Sequence, residues 1–383
     1  MNIALLSHRF GNIGHSFMAI GVEEAIRAAF GRSATIQHWE QHRTFNVYSR
    51  RHPLSWLDRV HNLRMPSLLR VINRPVVSRA LWKSAKDVRQ IDLALACGGP
   101  SLAVGAADNP EHVALLNHLY GAIAHQGVRI VDVGLGSCVP ISRLSDDVAS
   151  MYGHADLEVF RRLMAATATS LVRDTTARKT MRFIGRECEL IPCAAFLSAR
   201  SFRPKVCTNS IRKIVAINYQ REGANSSWGQ PIDGPRWAAT IRELSRRLSN
   251  RHQVVFLCQN QREYTEVSAV LDGATAVCPE NAIDYLRIIR EFDAAVVSRI
   301  HAAIPLASYG IPSITVGTDS RIQALEPIGL KTHYINDATV DILEEQVETA
   351  LCQSAEYQER LLVLREQTLD TYVARFRSIL AAK

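Results

Sequence analysis

Ser298, Arg299 and His301 lie where a predicted buried strand passes directly into a predicted helix. The first N–H groups of a helix lack intrahelical acceptors and carry the positive end of the helix dipole, so this position suits a phosphate or carboxylate. Arg299 adds a guanidinium fork for a planar anion, and histidine commonly serves as a general acid near neutral pH. We therefore interpret the segment as an anion-binding and proton-transfer site in which Ser298 is the N-cap. The alternative is structural, with Arg299 paired to a surface carboxylate and His301 in the core.

A glycine-containing turn follows the first predicted strand, NIALLS. It holds Asn12, Gly14 and His15 and leads into a predicted helix, which offers another N-terminus that favours anions. The dinucleotide-binding fingerprint GxGxxG is absent from this turn. The turn is therefore either a second ligand-binding segment or a strand–helix connection without a ligand.

The elements that position these residues alternate between short apolar strands and amphipathic helices along the chain. This alternation predicts an α/β fold with parallel sheets covered on both faces. We predict a Rossmann-like domain over residues 1–200, a second over 210–354, and a C-terminal helix over 355–383. Ligands of such sheets bind beyond the carboxyl ends of the strands, so the cleft between two facing domains is the expected site.

Composition excludes several classes of protein. The chain has 383 residues, 47% of them hydrophobic and 21% charged, which is typical of globular domains. No run of apolar residues is long enough for a membrane span, and the first residues do not resemble a secretory signal. The eight cysteines form no CxxC pair, and no metal-ligand cluster is evident. We expect a cytoplasmic protein with no metal site.

The net charge of +8 is concentrated in residues 41–90. This segment has eleven basic and two acidic residues, a net charge of +9, and it includes Trp56 and Trp82. Anionic lipid headgroups attract such segments, which would favour a location at the inner face of the cell membrane. An acidic polymer and a solvated basic insertion are the alternatives. Nucleic acid is an unlikely partner because no nucleic-acid-binding motif accompanies the charge.

Several motifs occur in the order found in the polysaccharide pyruvyl transferase family, which the chain resembles over roughly residues 1–335. The strongest is the strand that leads into Ser298-Arg299-Ile300-His301 on a helix. The other matching elements are Asn12-Ile13-Gly14, Gly98-Gly99-Pro100, Gly134-Leu135-Gly136, Arg173-Asp174, Gly185, Ile191-Pro192, Gly310-Ile311-Pro312, Arg321 and Gly329-Leu330.

The resemblance implies a fold similar to the B-type glycosyltransferases, with a cleft between two Rossmann-like domains. It also implies transfer of a pyruvyl group from phosphoenolpyruvate to hydroxyls of a sugar, glycan or lipid-linked saccharide in polysaccharide or exopolysaccharide biosynthesis, usually as a cyclic ketal. Phosphoenolpyruvate is then the donor substrate, and no further cofactor is expected.

By the same resemblance, the donor would lie on the C-terminal domain and the acceptor on the N-terminal domain. Arg173, Ser298, Arg299 and Arg321 are the expected donor-binding residues, and Arg299 and His301 are the expected catalytic residues. The expected acceptor-binding residues are Asn12, Gly14, His15, Gly98 and Gly99. Arg173 could instead form a local ion pair with Asp174.

Four positions depart from the family pattern. His15 replaces an aspartate, Pro100 a glycine, Cys193 an acidic residue and Arg321 a lysine. These departures suggest a divergent member with an unusual acceptor. Two other readings remain: a nucleotide-sugar-dependent glycosyltransferase of the same fold, with Glu326 as the nearest ribose-binding candidate, and a non-catalytic glycan-binding member.

Overall fold

A computed structural model describes residues 1–8, 13–40, 90–99, 101–203, 212–223, 229–271 and 273–381. Asn12, Pro100 and the basic segment 41–89 lie outside the described residues, so the predictions made for them are not tested. Within the described ranges, no helix combines the length and the apolar character needed to cross a membrane.

Two six-stranded sheets, each entirely parallel, form the framework. The first has the order β2-β1-β3-β5-β7-β8 and the second β11-β10-β9-β12-β13-β14, while β4 and β6 pair separately. The strands are β1 Asn2–Ser7, β2 Thr35–Glu40, β3 Leu93–Cys97, β4 Leu102–Ala103, β5 Arg129–Leu135, β6 Ser137–Cys138, β7 Thr169–Val172, β8 Cys188–Leu190, β9 Ile214–Asn218, β10 Gln253–Leu257, β11 Ala276–Val277, β12 Ala294–Val297, β13 Ser313–Gly317 and β14 Lys331–Tyr334.

Helices connect the parallel strands, and several begin at a polar cap. The side chains of Asp174, Asn260 and Asn281 accept hydrogen bonds from first-turn N–H groups. The helices are α1 Ile13–Phe30, α2 Pro110–His125, α3 Val148–Met151, α4 His154–Ala165, α5 Thr175–Phe183, α6 Gly234–Ser249, α7 Gln261–Val270, α8 Ala282–Ile289, α9 Ile300–Ser308, α10 Val340–Cys352 and α11 Ser354–Ala381.

The structure confirms the α/β class and the two facing parallel sheets, and it differs from the sequence prediction in local elements. The apolar run ELIPCAAF, residues 189–196, by itself predicts one strand, but β8 ends at Leu190 and a 3₁₀ turn covers Ala194–Leu197. Pro192 lies between them and has no N–H for a ladder. The sequence analysis missed β14, because its residues KTHY are partly exposed and do not form an apolar run.

An apolar core joins the two halves of the chain. Phe17 and Met18 of α1 belong to the same buried cluster as Tyr285 and Ile300 of the second half. The rings of Phe17 and Tyr285 have centroids 5.1 Å apart. The last helix, α11, contributes Leu361 to this cluster and packs its distal residues on the first sheet. The relative position of the halves therefore depends on buried apolar contacts.

A second, polar connection also joins the halves. The hydroxyls of Ser137 and Ser320 are 2.6 Å apart, and Ser320 also exchanges backbone and side-chain hydrogen bonds with Val139. The N–H of Ile141 donates to the carbonyl of Thr318 at 3.0 Å. These contacts hold the end of β6 against the segment that follows β13.

We expect Gly21→Ala to destabilise the fold, because a Cβ at Gly21 would lie 1.8 Å from the carbonyl oxygen of Ala194. Overpacking of this kind costs about 1–3 kcal/mol. Gly121→Ala on α2 is the matched control, because a Cβ there meets nothing within 4 Å and should stabilise the helix by up to about 1 kcal/mol. Chemical denaturation of both variants measures the difference, and equal stabilities would contradict the close α1 packing.

Candidate active site

One cleft lies at the carboxyl ends of the strands, between the two halves of the chain. It encloses about 160 Å³, enough for a small organic molecule. Its lining comes from both halves and comprises His15, Arg173, Gln220, Gly223, Gln259, Ser298, Arg299, Ile300, His301, Gly317, Thr318, Asp319, Arg321 and Ile322.

Arg173 is the most buried cation of the cleft. It follows β7 directly, and its side chain is completely buried. A Cβ on Gly136 would lie 2.4 Å from its Nε, so a glycine at that position leaves room for the guanidinium. Its Nε and Nη2 have no hydrogen-bond partner among the described residues. Because burying an unpaired charge is costly, this guanidinium is suited to an anionic ligand.

Asp174 does not form the local ion pair considered as an alternative for Arg173. One of its carboxylate oxygens accepts from the N–H of Ser137 at 2.9 Å, and the other from the N–H of Ala177 at 2.7 Å. The Ser137 hydroxyl also donates to this carboxylate. Asp174 therefore caps α5 and fixes β6. Burial raises the pKa of its carboxyl, and the nearby charge of Arg173 lowers it in part.

Arg299 and Arg321 each contact a buried carboxylate. The Nε of Arg299 donates to Glu263, and Arg321 donates to Asp319 through Nε at 2.7 Å and through Nη2. The carboxylate of Glu263 is 2% exposed and that of Asp319 is 3% exposed. The carboxylate predicted for Arg299 in the structural alternative thus exists, but it is buried beside the cleft and not on the surface.

His301 lies against Arg173, with 3.5 Å between its Nε2 and the Nη1 of the arginine. A guanidinium only donates hydrogen bonds, so Nε2 is the acceptor in this arrangement. Burial lowers the pKa of His301 well below its ordinary value, and the charges of Arg173, His15, Arg321 and Arg299 lower it further. Burial, His8 and Arg173 lower the pKa of His15 to about 4. Both imidazoles are therefore neutral at pH 7 without an anion beside them.

The structure brings most of the predicted residues to this cleft. His15, Arg173, Ser298, Arg299, His301 and Arg321 line it. Gly14 packs against the ring of His301, where a Cβ would lie 2.4 Å from Nδ1. A Cβ on Gly99 would lie 3.0 Å from His15.

One prediction is wrong, and two candidate residues are absent from the lining. Ser298 does not cap α9: Arg299 occupies the N-cap position, and the buried Ser298 hydroxyl has no partner among the described residues. Gly98 packs against the backbone of Leu135, and its role in acceptor binding stays a prediction. Glu326 is exposed and is not part of the lining.

The sequence analysis missed Gln220, Gln259, Thr318 and Asp319. Each follows a strand of the second sheet, so the rule that ligands bind at carboxyl ends of parallel strands could have found them. The Oε1 of Gln259 and the hydroxyl of Thr318 are buried without a described partner. Buried polar atoms without partners concentrate here, which supports a polar ligand.

Metal ligation has no candidate within the described ranges. These residues include no group of three or more histidine, cysteine, aspartate or glutamate side chains placed to hold an ion.

Solved structures with a similar fold include UDP-N-acetylglucosamine 2-epimerases and a protein bound to UDP. A putative UDP-N-acetylglucosamine 2-epimerase from Listeria monocytogenes aligns with a TM-score of 0.58 and 13% identity, covering 98% of this chain and 97% of that one. A UDP-GlcNAc 2-epimerase from Neisseria meningitidis bound to UDP-GlcNAc aligns with a TM-score of 0.54 and 11% identity. Anabaena HepE in complex with UDP aligns with a TM-score of 0.54 and 10% identity. Both alignments cover 100% of this chain and 100% of the other. At these identities the likeness establishes the fold alone.

The family is established by sequence. The polysaccharide pyruvyl transferase family model matches residues 38–320, most of the chain, and the protein belongs to this family. No curated protein matches the chain in a sequence search.

We expect the histidines of the cleft to make folding stability depend on pH. The unfolded chain binds protons at histidine near pH 6.5, whereas the folded chain keeps His15 neutral to about pH 4. The contribution of His15 to the free energy of unfolding is complete above pH 6.5 and is lost as the pH falls towards 4. His15→Gln and His301→Gln should each weaken the fall in melting temperature between pH 7 and pH 5. Thermal unfolding across this range measures the slope, and wild-type slopes in both variants would contradict the assignment.

Proposed function

We propose that this protein transfers a pyruvyl group from phosphoenolpyruvate to hydroxyls of a sugar or glycan intermediate. The observation that carries the proposal is the convergence of three arginines on the buried His301, with Arg173 retaining N–H groups that no described residue accepts. A donor with a carboxylate and a phosphate needs several fixed cations. The membership in the pyruvyl transferase family supports the same chemistry.

The arginines differ in how many guanidinium N–H groups remain available to bind phosphoenolpyruvate. Arg173 keeps Nε and Nη2 available, so it is the main anchor of the donor. Arg299 donates to Glu263 through Nε, and no described residue accepts a hydrogen bond from its two terminal nitrogens. Arg321 donates to Asp319 through both Nε and Nη2, so it has the fewest N–H groups left for a ligand. The Ser298 hydroxyl, also without a described partner, adds a neutral donor to the same anion.

Donor binding prepares His301 to act as an acid. The arginine charges help to hold its pKa low, and a bound polyanion offsets those charges. His301 takes up a proton from solvent as the donor binds and passes it to the methylene carbon of phosphoenolpyruvate, while positive charge develops at the central carbon. A sugar hydroxyl adds there, inorganic phosphate leaves, and a second hydroxyl closes the ketal. His15 accepts one hydroxyl proton and releases it to solvent, which replaces the proton that His301 took up. The other hydroxyl proton leaves with phosphate, so the step balances without a further cofactor.

The acceptor side is assigned to the first half of the chain. His15 lies in the cleft and is neutral at pH 7, so it can accept a hydroxyl proton in place of the aspartate usual in the family. Gly14 and Gly99 allow the close packing of His301 and His15. Asn12 and Gly98 complete the proposed acceptor segment, Gly98 by fixing the end of β3.

Calorimetry of phosphoenolpyruvate binding tests this assignment. We expect saturable binding to the wild type and loss of about tenfold or more in affinity for Arg173→Ala and Arg299→Ala, since each removes charge-assisted hydrogen bonds. Arg321→Ala should lose less. His301→Gln should still bind the donor but should not turn it over.

Arg287→Ala is the matched control, because Arg287 is exposed on α8 and pairs with Asp284 outside the cleft. Absence of binding by the wild type, with and without saccharide acceptors, would overturn the proposed donor. Binding of UDP instead would favour a nucleotide-sugar donor, as in the solved relatives bound to UDP. Glycan binding without turnover of any donor would indicate a non-catalytic member.

We further propose that residues 41–90 attract the protein to anionic lipid at the cytoplasmic membrane face, where lipid-linked acceptors would be available. The net charge of +9 in this segment supports the proposal. In flotation assays, the protein should float with vesicles of phosphatidylcholine containing anionic lipid at low salt. Pure phosphatidylcholine vesicles and high salt are the controls, and no flotation at low salt would exclude this attraction.

A further inference from the structure

A buried carboxylate outside the proposed chemistry lies behind the donor site. Glu263 is in the first turn of α7 and is 2% exposed, so its charge is almost completely removed from water. It does not line the cleft. Its Oε1 accepts from the Nε of Arg299, which does line the cleft. A buried carboxylate is costly unless it is paired and hydrogen-bonded, and the remaining contacts of Glu263 meet that requirement.

Those contacts connect three adjacent strands. The Oε2 of Glu263 accepts from the side-chain amide of Asn218 at 3.0 Å and from the N–H of Gln259 at 2.8 Å. Asn218 ends β9, Gln259 follows β10 and Arg299 follows β12, and these strands are neighbours in the order β10-β9-β12. One carboxylate therefore holds the carboxyl ends of the strands that build the donor side.

The same network reaches His301. The side-chain amide nitrogen of Gln259 donates to the main-chain carbonyl of His301 at 2.9 Å. Since that carbonyl can only accept, the contact also identifies which end of the Gln259 amide is the nitrogen. Glu263 fixes Gln259 through its N–H, so Arg299 and the first turn of α9 are positioned through one residue.

We propose that Glu263 is a positioning residue that fixes the guanidinium of Arg299 for the donor. By occupying Nε, Glu263 leaves the two terminal nitrogens of Arg299 for the ligand. An arginine side chain has several rotatable bonds, so without this contact the guanidinium would sample several positions at the cleft. This role of Glu263 rests on the proposed function only in naming phosphoenolpyruvate as the anion. The contact between Glu263 and Arg299 would position the guanidinium for any anionic ligand.

Glu263→Gln keeps the shape of the side chain but replaces one acceptor oxygen with an NH₂ group. Either Arg299, or Asn218 and Gln259, then faces a donor instead of an acceptor. We expect affinity for phosphoenolpyruvate to fall about 10- to 100-fold, because a misplaced guanidinium loses a charge-assisted hydrogen bond to the anion. Glu266→Gln is the matched control on the same helix, because Glu266 contacts Arg262 and the N–H of Arg221. It should keep wild-type affinity.

A double-mutant cycle separates positioning from a general structural role. If Glu263 acts through Arg299, then Glu263→Gln in an Arg299→Ala background should change donor affinity by less than about twofold. The same loss in both backgrounds would overturn the proposal. If Glu263→Gln does not fold, Glu263→Asp retracts the carboxylate from Arg299 while keeping its charge, and it serves in the same cycle.

A ligand-free measurement keeps this test independent of the proposed function. In ¹⁵N spectra, the Nε–H signal of Arg299, assigned by its loss in Arg299→Lys, should be protected from solvent exchange in the wild type. It should lose protection in Glu263→Gln but not in Glu266→Gln. If the wild type binds no phosphoenolpyruvate, the protection of the Arg299 Nε–H signal still tests the role of Glu263. The double-mutant cycle is then repeated with inorganic phosphate as the ligand. An unprotected Arg299 signal in the wild type would overturn it.

Discussion

The placement of one buried and two half-buried guanidinium groups at the carboxyl ends of two facing sheets is the constraint on which the cleft depends. Removing a charge from water costs on the order of several kcal/mol, so each cation needs an opposite charge or hydrogen bonds to offset that cost. Glu263 compensates Arg299, and Asp319 compensates Arg321. Arg173 has no carboxylate in contact among the described residues. Burial lowers the pKa of His301, and the positive charge of the same arginines lowers it further, so the imidazole is neutral at pH 7.

The relative position of the two halves determines whether this arrangement exists. Arg173 belongs to the first half, and His301, Arg299 and Arg321 belong to the second. The apolar core around Phe17 and Tyr285 holds the halves together. The hydrogen bonds between Ser137, Ser320 and their backbone neighbours also join them. Both sets of contacts involve segments adjacent to cleft residues, which couples domain packing directly to site geometry.

Much of the candidate site could be predicted from sequence because its residues directly follow apolar strands. The strand that ends before Ser298 and the strand that ends before Arg173 are buried runs, and polar residues after such runs lie at the ligand-binding edge. The sequence analysis missed residues that belong to no recognisable sequence motif, such as Gln259 and Glu263. Their importance comes from partners about 40 residues away in the chain, which spacing alone does not reveal. The incorrect N-cap at Ser298 has a similar cause, because cap position depends on local backbone angles.

The sequence by itself determined the α/β class, the family and the segments that carry the cationic residues. It did so because apolar periodicity and strand–turn–helix junctions are local properties of the chain. Only the tertiary structure decided which arginine is paired with a carboxylate, and that His15 meets His301 in one cleft. These properties depend on side chains brought together from distant segments and on how deeply they are buried. Desolvation and charge pairing set the pKa of each imidazole, and both arise only when the two halves pack against each other.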